Sequence, residues 1–193
     1  MTSSPDSPGA ADSPGADPSR AADNSGVADS PRTYPRVLGH FSTGRPGPTI
    51  VVTGGVHGYE TSGVHGALQF AQRHLADYAG RVNVLVAPCV SPWAYERIHR
   101  WNPLAIDPNR SFRADSPAPE SAALMKLVAP LRDRFVVHVD LHETTDSDES
   151  EFRPALAARD GKPFEPGEIP DGFYLVDDTG HPQPAFQQEI GRA

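Results

Sequence analysis

The sequence has a single cysteine, Cys89, among its 193 residues, which excludes an internal disulfide. Cys89 follows an apolar stretch typical of a strand, which favours a buried, inert thiol over a nucleophile. No apolar run approaches the length that crosses a membrane. The opening residues, MTSSPDSPG, lack the basic start and apolar centre of a signal peptide, so cytoplasmic residence is expected.

Clusters of basic residues are also missing from the sequence. The 17 Lys and Arg are outnumbered by 25 Asp and Glu, and the formal net charge is −8. An acidic chain without a basic patch repels polyanions, so DNA, RNA and anionic membranes are disfavoured as partners.

Apolar residues are scarce at the start of the chain. Residues 1–32 consist almost entirely of Ser, Ala, Asp, Pro and Gly, and the sequence SPGA occurs twice among them. This composition buries too little apolar surface to offset the entropy lost on ordering. It predicts a disordered low-complexity tail, with a docking or regulatory tail as the alternative, followed by a domain over residues 33–193.

The pattern of residues 33–193 is that of an α/β fold. Apolar β-branched runs predict strands, and apolar residues at spacings of three and four predict helices. The main strands are predicted at Thr49–Thr53, Val82–Ala87 and Phe135–Leu141, and the main helices at Glu60–Tyr78 and Pro119–Arg134, the latter interrupted at Pro130. Smaller elements are predicted at Val37–Phe41 (edge strand), Trp93–Ile98 (short helix), 145–172 (loop), Phe173–Val176 (strand) and Pro184–Arg192 (helix).

This order of elements predicts a mainly parallel or mixed central sheet flanked by helices. In such sheets, ligands bind outside the carboxyl ends of the strands. Histidines follow the first and third main strands, so the sequence places its polar candidates at that edge.

Two sequence segments carry the residues of a metal site. His57 and Glu60 lie in GGVHGYE after the first main strand, and His142 lies in VVHVDLHE at the end of the third. Catalytic zinc sites use two imidazoles and a carboxylate and leave a fourth position for water. The spacing His-x-x-Glu corresponds to about one helical turn, so both side chains can face one ion. We therefore predict one Zn²⁺ per chain, held by these three residues.

The strand before His142 also offers a competing ligand. By alternation, His138, Asp140 and His142 lie on one face of that strand. His142 is preferred to His138 because it lies further out, where the chain leaves the sheet. Asp140 is a candidate partner for the outer nitrogen of a ligand imidazole, since zinc-bound histidines usually donate that N–H to a carboxylate. A polar network at a sheet edge would produce the same pattern.

The segment DPNRSF, between the two motifs, is suited to binding a carboxylate. Arg110 carries a planar guanidinium that grips carboxylates through two parallel hydrogen bonds, and Asn109 adds an amide donor. Asp107 is a second candidate partner for a ligand imidazole, with a turn cap as the alternative. Upstream, Arg97 and Arg100 are candidates to polarise a carbonyl and stabilise an oxyanion.

Together, GGVHGYE, DPNRSF and VDLHETT resemble the zinc metallocarboxypeptidase family, especially its succinylglutamate desuccinylase/aspartoacylase-like branch. The resemblance covers about residues 48–146. It implies a carboxypeptidase-like fold, zinc ligands at the three residues already singled out, and binding of the substrate carboxylate by Asn109 and Arg110. It also implies that Asp107 supports a ligand histidine and that an upstream arginine, for which Arg100 is the nearest candidate, polarises the carbonyl.

The resemblance further implies a glutamate that acts as general base and acid, several dozen residues after the third ligand. That position falls beyond Ala193, so the domain is expected to be C-terminally incomplete or to lack its base. The downstream glutamates do not have the expected context: Glu143, Glu149, Glu151, Glu165 and Glu168.

The resulting expectation is a zinc-dependent hydrolase that cleaves an amide bond next to a substrate carboxylate. A metallocarboxypeptidase acting on small peptides comes first, and an amidohydrolase of N-acyl amino acids is the alternative with the same metal site. A non-catalytic module that binds zinc or a carboxylate is the alternative from another class, because the catalytic glutamate is not among these residues.

Overall fold

The described residues, 39–167 and 172–191 of a computed structural model, form a four-stranded sheet with helices packed against it. The strands are β1 (Phe41–Ser42), β2 (Thr49–Gly54), β3 (Asn83–Ala87) and β4 (Phe135–Leu141). The helices are α1 (Thr61–Arg73), α2 (Leu75–Tyr78), α3 (Pro92–Arg97), α4 (Pro119–Val128), α5 (Arg153–Arg159) and α6 (Pro184–Ile190). Shorter turns are the 3₁₀ helices Pro108–Arg110 and Ala129–Arg134 and a π-helical turn, Asp148–Phe152.

The sheet is mixed, with the strand order β1-β3-β2-β4. The central strand β2 pairs in parallel with β3 and β4, while β1 runs antiparallel to β3. Thr53 lies opposite Ala87 on one side and Asp140 on the other, so the carboxyl ends of three strands meet at one edge. The predicted α/β fold with a mainly parallel or mixed sheet flanked by helices is confirmed.

The core lies on both faces of the two central strands. On one face, Val84 and Val86 of β3 pack against Ala67 and Ala71 of α1. On the other face, Ala87 belongs to a second cluster that includes Leu124 of α4. Burial on both faces explains why the β2 and β3 sequences are nearly continuous apolar runs rather than alternating ones.

The helix predicted over Glu60–Tyr78 is divided in the structure. α1 ends at Arg73, His74 leaves helical geometry with φ −122°, and α2 follows. At the other end, Glu60 is the residue before α1, and residues 57–60 form a turn in which Glu60 N donates to His57 O at 3.3 Å. The break predicted near Pro130 is present, since α4 gives way to a 3₁₀ helix at Ala129.

Two expectations for the second half of the chain are wrong. The segment 145–172, expected to be a loop, contains the π-helical turn Asp148–Phe152 and α5. Phe173–Val176, expected to be a strand, is irregular. Its side chains lie mostly in solvent, with Phe173 77% and Val176 83% exposed. The segment pairs with no strand of the described sheet.

Some expectations fall outside the described residues. These are the tail over 1–32, the first part of the predicted edge strand Val37–Phe41, Glu168, and Arg192 at the end of the last predicted helix. Of the predicted edge strand, only Phe41 lies in β1, and residues 39–40 are described but are not strand. Among the helices described, none combines the length and hydropathy needed to cross a membrane.

A close approach of backbones brings α1 next to the end of β4. A β-carbon on Gly63, in the first turn of α1, would lie 2.3 Å from the carbonyl oxygen of Leu141. A β-carbon on Gly54 would similarly lie 2.6 Å from Gly63 O. Only glycine permits this packing, which places the start of α1 beside the residue that follows β4.

The Gly63→Ala variant is therefore expected to lose about 1–3 kcal/mol of unfolding free energy, because the clash is with backbone that side-chain motion cannot relieve. Gly66→Ala in the same helix is the matched control. Its β-carbon would meet only Leu141 Cδ1 at 3.6 Å, an ordinary contact. That variant should be neutral or more stable by up to about 1 kcal/mol. Denaturant unfolding compares them, and equal stabilities would contradict the packing argument.

Candidate metal centre and carboxylate site

The turn that follows β2 presents His57 at the carboxyl edge of the sheet. Gly55 has φ 61°, in the left-handed region that favours glycine. Backbone bonds from Val90 N to Gly54 O (3.0 Å) and from Ser91 N to Gly55 O (2.9 Å) tie this turn to the chain after β3. The backbone at His57 is therefore held in place. The residue is only 2% exposed.

Three predicted ligands converge beyond the sheet edge. His57 Nδ1 lies 2.6 Å from Glu60 Oε1, and His142 Nδ1 lies 2.7 Å from Glu60 Oε2. One donor atom from each of the three residues lies within 4.8 Å of the others. Two imidazole nitrogens and a carboxylate thus face a common point, which is the donor set of a hydrolytic zinc site.

The outer nitrogens of both histidines contact carboxylates. His57 Nε2 lies 3.2 Å from Asp107 Oδ1, and His142 Nε2 lies 2.9 Å from Asp140 Oδ2. These contacts leave each Nδ1 facing Glu60 and fix the ring orientation, as carboxylate partners do around zinc-bound histidines. Thr53 of β2 in turn donates to Asp140 Oδ1 at 2.6 Å.

Asp107 fills both roles that its sequence context allowed. Its Oδ1 contacts His57 Nε2 and also accepts a hydrogen bond from Asn109 N at 2.9 Å, which caps the 3₁₀ helix Pro108–Arg110. The two readings of this aspartate are therefore compatible, because the cap holds the carboxylate at the imidazole.

His138, the competing ligand, lies away from the trio. It lies on β4, four residues before His142, and its Nε2 is 2.8 Å from Thr53 Oγ1. The structure thus brings His142, and not His138, together with the residues of the first motif.

Burial and the neighbouring charges shift the pKa values of the three residues in opposite directions. Burial alone would lower the pKa of His142, but hydrogen bonds to Asp140 and Glu60 raise it to about 10. The pKa of His57 is likewise raised by Asp107 and Glu60 against the effect of burial. Burial would raise the pKa of Glu60, yet the two histidines hold it below its usual range. Without a metal ion, the site therefore holds protons in the place of a cation.

The trio is open on one side. Glu60 is 2% exposed, whereas a third of the His142 side chain (33%) is exposed. A ligand from solvent can therefore approach on the side of His142.

The side chain of Glu143 binds Ser62 at the start of α1. Its Oε2 accepts hydrogen bonds from Ser62 N at 3.1 Å and Ser62 Oγ at 2.9 Å, at the start of α1. Its own N–H donates to Glu60 Oε2 at 3.2 Å. Glu143 thus joins the end of β4 to the start of α1 and agrees with the expectation that it is not the general base.

Of the two candidate arginines, Arg100 is the one at the trio. Its Nη1 lies 3.8 Å from Glu60 Oε1 and 2.7 Å from Asp148 Oδ1. Its Nε is buried without a hydrogen-bond partner among the described residues. Arg97 instead lies over the ring of Trp93, with Cζ 4.8 Å from the ring centre.

Asn109 and Arg110 lie on the 3₁₀ helix that Asp107 caps next to His57. Asn109 is half-buried and Arg110 is exposed. Over residues 39–167 and 172–191, no hydrogen bond or ion pair engages either side chain. Their position next to the Asp107 contact with the trio fits the predicted carboxylate site.

The sequence did not point to two residues of this region, Tyr59 and Asp148. The Tyr59 hydroxyl donates to Asp148 Oδ1 at 2.7 Å, and Arg100 Nη1 contacts both residues. Tyr59 lies inside the GGVHGYE motif, in which His57 and Glu60 are the predicted metal ligands. Asp148 lies in an acidic stretch without periodicity, and nothing in that stretch marks it.

Comparisons with known proteins identify the family of this chain. Residues 46–161 match the family model of the succinylglutamate desuccinylase/aspartoacylase catalytic domain. No curated protein matches the sequence. The chain is similar to solved structures of a candidate metallopeptidase from Shewanella baltica (29% identity, 57% of this chain, 46% of that one, TM-score 0.47) and of a succinylglutamate desuccinylase/aspartoacylase from Rhodobacter sphaeroides (28%, 50%, 30%, 0.42).

A third similar structure is an aspartoacylase family protein from Mesorhizobium loti (22% identity, 64% of this chain, 45% of that one, TM-score 0.44). The chain thus spans about half or less of the length of these three structures.

Proposed function

The chain belongs to the succinylglutamate desuccinylase/aspartoacylase family, and from that membership we propose that it carries the metal centre of a zinc-dependent amide hydrolase. The convergence of His57, Glu60 and His142, each imidazole with a carboxylate behind it, is the observation that carries the proposal. Desuccinylases and aspartoacylases are hydrolases, and the proposed reaction is of that kind.

The residues of the trio fit a zinc ion by their chemistry. Two Nδ1 atoms and a carboxylate make three donors, and the exposed side of His142 leaves room for a fourth. A bound zinc ion would supply the Lewis acidity that polarises a carbonyl and acidifies a water molecule. Asp107 and Asp140 would keep the imidazoles oriented and raise their basicity as ligands.

The protein's own groups would bind and orient the substrate. Arg110 and Asn109 would hold its carboxylate, which sets the neighbouring amide carbonyl over the trio. Arg100 would donate to the carbonyl oxygen as negative charge develops on it, because its Nη1 lies 3.8 Å from Glu60 Oε1, beside the trio. The resemblance to the family implies a glutamate as general base and acid, and none of the described glutamates has the context expected of it.

We propose an N-acyl amino acid as the substrate class, because the matched domain is named for desuccinylase and aspartoacylase. Both act on a small acyl group linked to an amino acid. A metallocarboxypeptidase, the first expectation from sequence, uses the same trio and the same carboxylate site on the C-terminus of a peptide.

Hydrolysis assays on a zinc-loaded form of the protein that includes the general-base glutamate test the proposal. N-succinyl and N-acetyl amino acids are compared with dipeptides, and the released amino acid is measured. Faster cleavage of the N-acyl amino acids supports the proposal, and faster cleavage of dipeptides would show a carboxypeptidase instead. Zinc binding without any cleavage would favour the non-catalytic module.

The Arg110→Ala variant is expected to weaken substrate binding by about 10- to 100-fold, because a charge-assisted hydrogen-bond pair contributes about 1.5–3 kcal/mol. Zinc content should be unchanged, since Arg110 does not contact the trio. KM or the dissociation constant of a product amino acid is the measurement. Arg113→Ala, at an exposed arginine paired with Asp115, is the control. Unchanged affinity in Arg110→Ala would remove this residue from the carboxylate site.

A further inference from the structure

Arg100 is held by a group of residues that the family membership does not explain. Asp148, on the π-helical turn after β4, accepts hydrogen bonds from Arg100 Nη1 and from the Tyr59 hydroxyl, each at 2.7 Å. Its second oxygen accepts from Thr145 N at 2.9 Å. Asp148 is only 8% exposed, so a carboxylate charge is buried at the side of the trio.

The same turn also covers the flat face of the guanidinium. Arg100 Cζ lies 3.8 Å from the centre of the Phe152 ring, four residues after Asp148. One short turn therefore restrains the guanidinium along an edge, through Asp148, and across a face, through Phe152. A free arginine has many rotamers, and this double restraint removes most of them before a ligand binds.

The restraint holds Arg100 beside the trio. Its Nη1 is 3.8 Å from Glu60 Oε1, while its Nε is buried and has no hydrogen-bond partner within the described residues. A donor that is held in place but unused is what stabilisation of a developing negative charge requires, because no reorganisation is then needed during the reaction.

We propose that Asp148 is a positioning residue that holds Arg100 at the metal centre, with Tyr59 as the second partner of the same carboxylate. The proposal rests on the proposed function for the role of Arg100, but the positioning itself does not. An ion pair that only anchors the π-helical turn would make the same contacts, so the test must follow Arg100 itself.

The first experiment follows the Nε–H signal of Arg100 by NMR of the ¹⁵N-labelled full chain. Arg100→Lys identifies the signal by removing it. In the wild type the Nε proton of Arg100 should exchange slowly with water. In Asp148→Asn it should exchange at least about tenfold faster, because the charge-assisted hydrogen bond between Arg100 and Asp148 is lost. Asp146→Asn, an exposed neighbour in the same acidic stretch, is the matched control and should leave the signal unchanged.

The second experiment measures hydrolysis by the zinc-loaded form of the protein that includes the general-base glutamate. Asp148→Asn should lower kcat by about 10- to 100-fold with little change in KM, because a misplaced donor is felt mainly in the transition state. Zinc content should stay at the wild-type level, since Asp148 does not touch the trio. The double variant Arg100→Ala/Asp148→Asn should be no slower than Arg100→Ala, because Asp148 acts through Arg100.

The outcomes separate the two proposals. An Arg100 signal that is unaffected by Asp148→Asn overturns the positioning role, whatever kcat does. An additive loss in the double variant also overturns it. If the signal changes as expected but the wild type hydrolyses neither substrate class, the positioning stands and the proposed function fails. Asp148→Asn keeps the shape and an acceptor of the native side chain, so the test does not depend on whether Asp148→Ala folds.

Discussion

His142→Ala is expected to remove the metal from the purified chain. One of three protein donors is lost, and the described residues contain no other group of metal-binding side chains that could replace it. Structural zinc sites bind with about 10–16 kcal/mol in total, so losing one donor should weaken affinity by about 100- to 1,000-fold or more. Zinc per chain, measured after dialysis, should fall from about one to near zero.

The neighbouring residues give graded controls for this variant. Asp140→Asn keeps the shape of the residue behind His142 but not its charge, and such substitutions lower metal affinity by about 10- to 100-fold. His138→Ala removes a contact of Thr53, which in turn holds Asp140, and a ring contact with Phe135, so its effect on zinc should be the smallest of the three. Wild-type zinc content in His142→Ala, or a larger loss in His138→Ala, would show that the ligands are assigned wrongly.

The trio could be found in the sequence because parallel strands impose its geometry. Once β2 and β4 are adjacent and parallel, residues just past their ends must lie close together, however far apart they are in the chain. The continuous apolar run of β2 and the polar residues at the end of β4 were sufficient for that inference. Glycine at position 63, which lets α1 approach Leu141, completes the arrangement.

The surroundings of Arg100 could not be found in the same way. The π-helical turn Asp148–Phe152 and α5 have no apolar periodicity, so a loop was predicted. These elements are held by polar contacts instead: Asp148 with Arg100, and Glu149 with Arg153 at 2.6 Å. Such pairs join residues that are distant in sequence or exposed, and neither leaves a repeating pattern in the chain.

The turn over His57–Glu60 shows an intermediate case. The spacing of three residues correctly indicated that both side chains could face one point, but through a helical turn. The structure reaches the same result with a tight turn, in which Glu60 precedes α1 and its side chain reaches both imidazoles. Glycines at 54, 55 and 58 could have indicated a turn, because glycine disfavours helix.

Zinc is expected to stabilise the chain, and to do so more strongly as the pH rises from about 6.5 to 9. At 100 times its dissociation constant, a ligand that binds only the folded state adds about 2.7 kcal/mol. For a chain of this length that corresponds to a Tm increase of about 5–10 °C. Thermal unfolding with and without a chelator, repeated across this pH range, measures the effect.

The sign of the pH dependence follows from the proton that the metal replaces. In the metal-free chain the pKa of His142 is raised to about 10 from 6.5, so its pairing with Asp140 and Glu60 stabilises the fold fully below pH 6.5 and is lost as the pH rises toward 10. Glu60, Asp107 and Asp140 have lowered pKa values, so their stabilisation is present above about pH 4.5 and is lost on acidification. Metal-free stability should therefore be greatest between these limits.

Zinc binds the neutral imidazoles, so its apparent affinity rises as protons leave the site. Rising pH thus weakens the metal-free fold and strengthens the metal-bound one, and the difference in Tm between them must widen. His142→Ala removes both the proton and the ligand, so its Tm should depend less on pH in this range and respond little to zinc. A zinc-induced increase in Tm that shrinks from pH 6.5 to 9 would contradict exchange of a proton for a metal ion at His142.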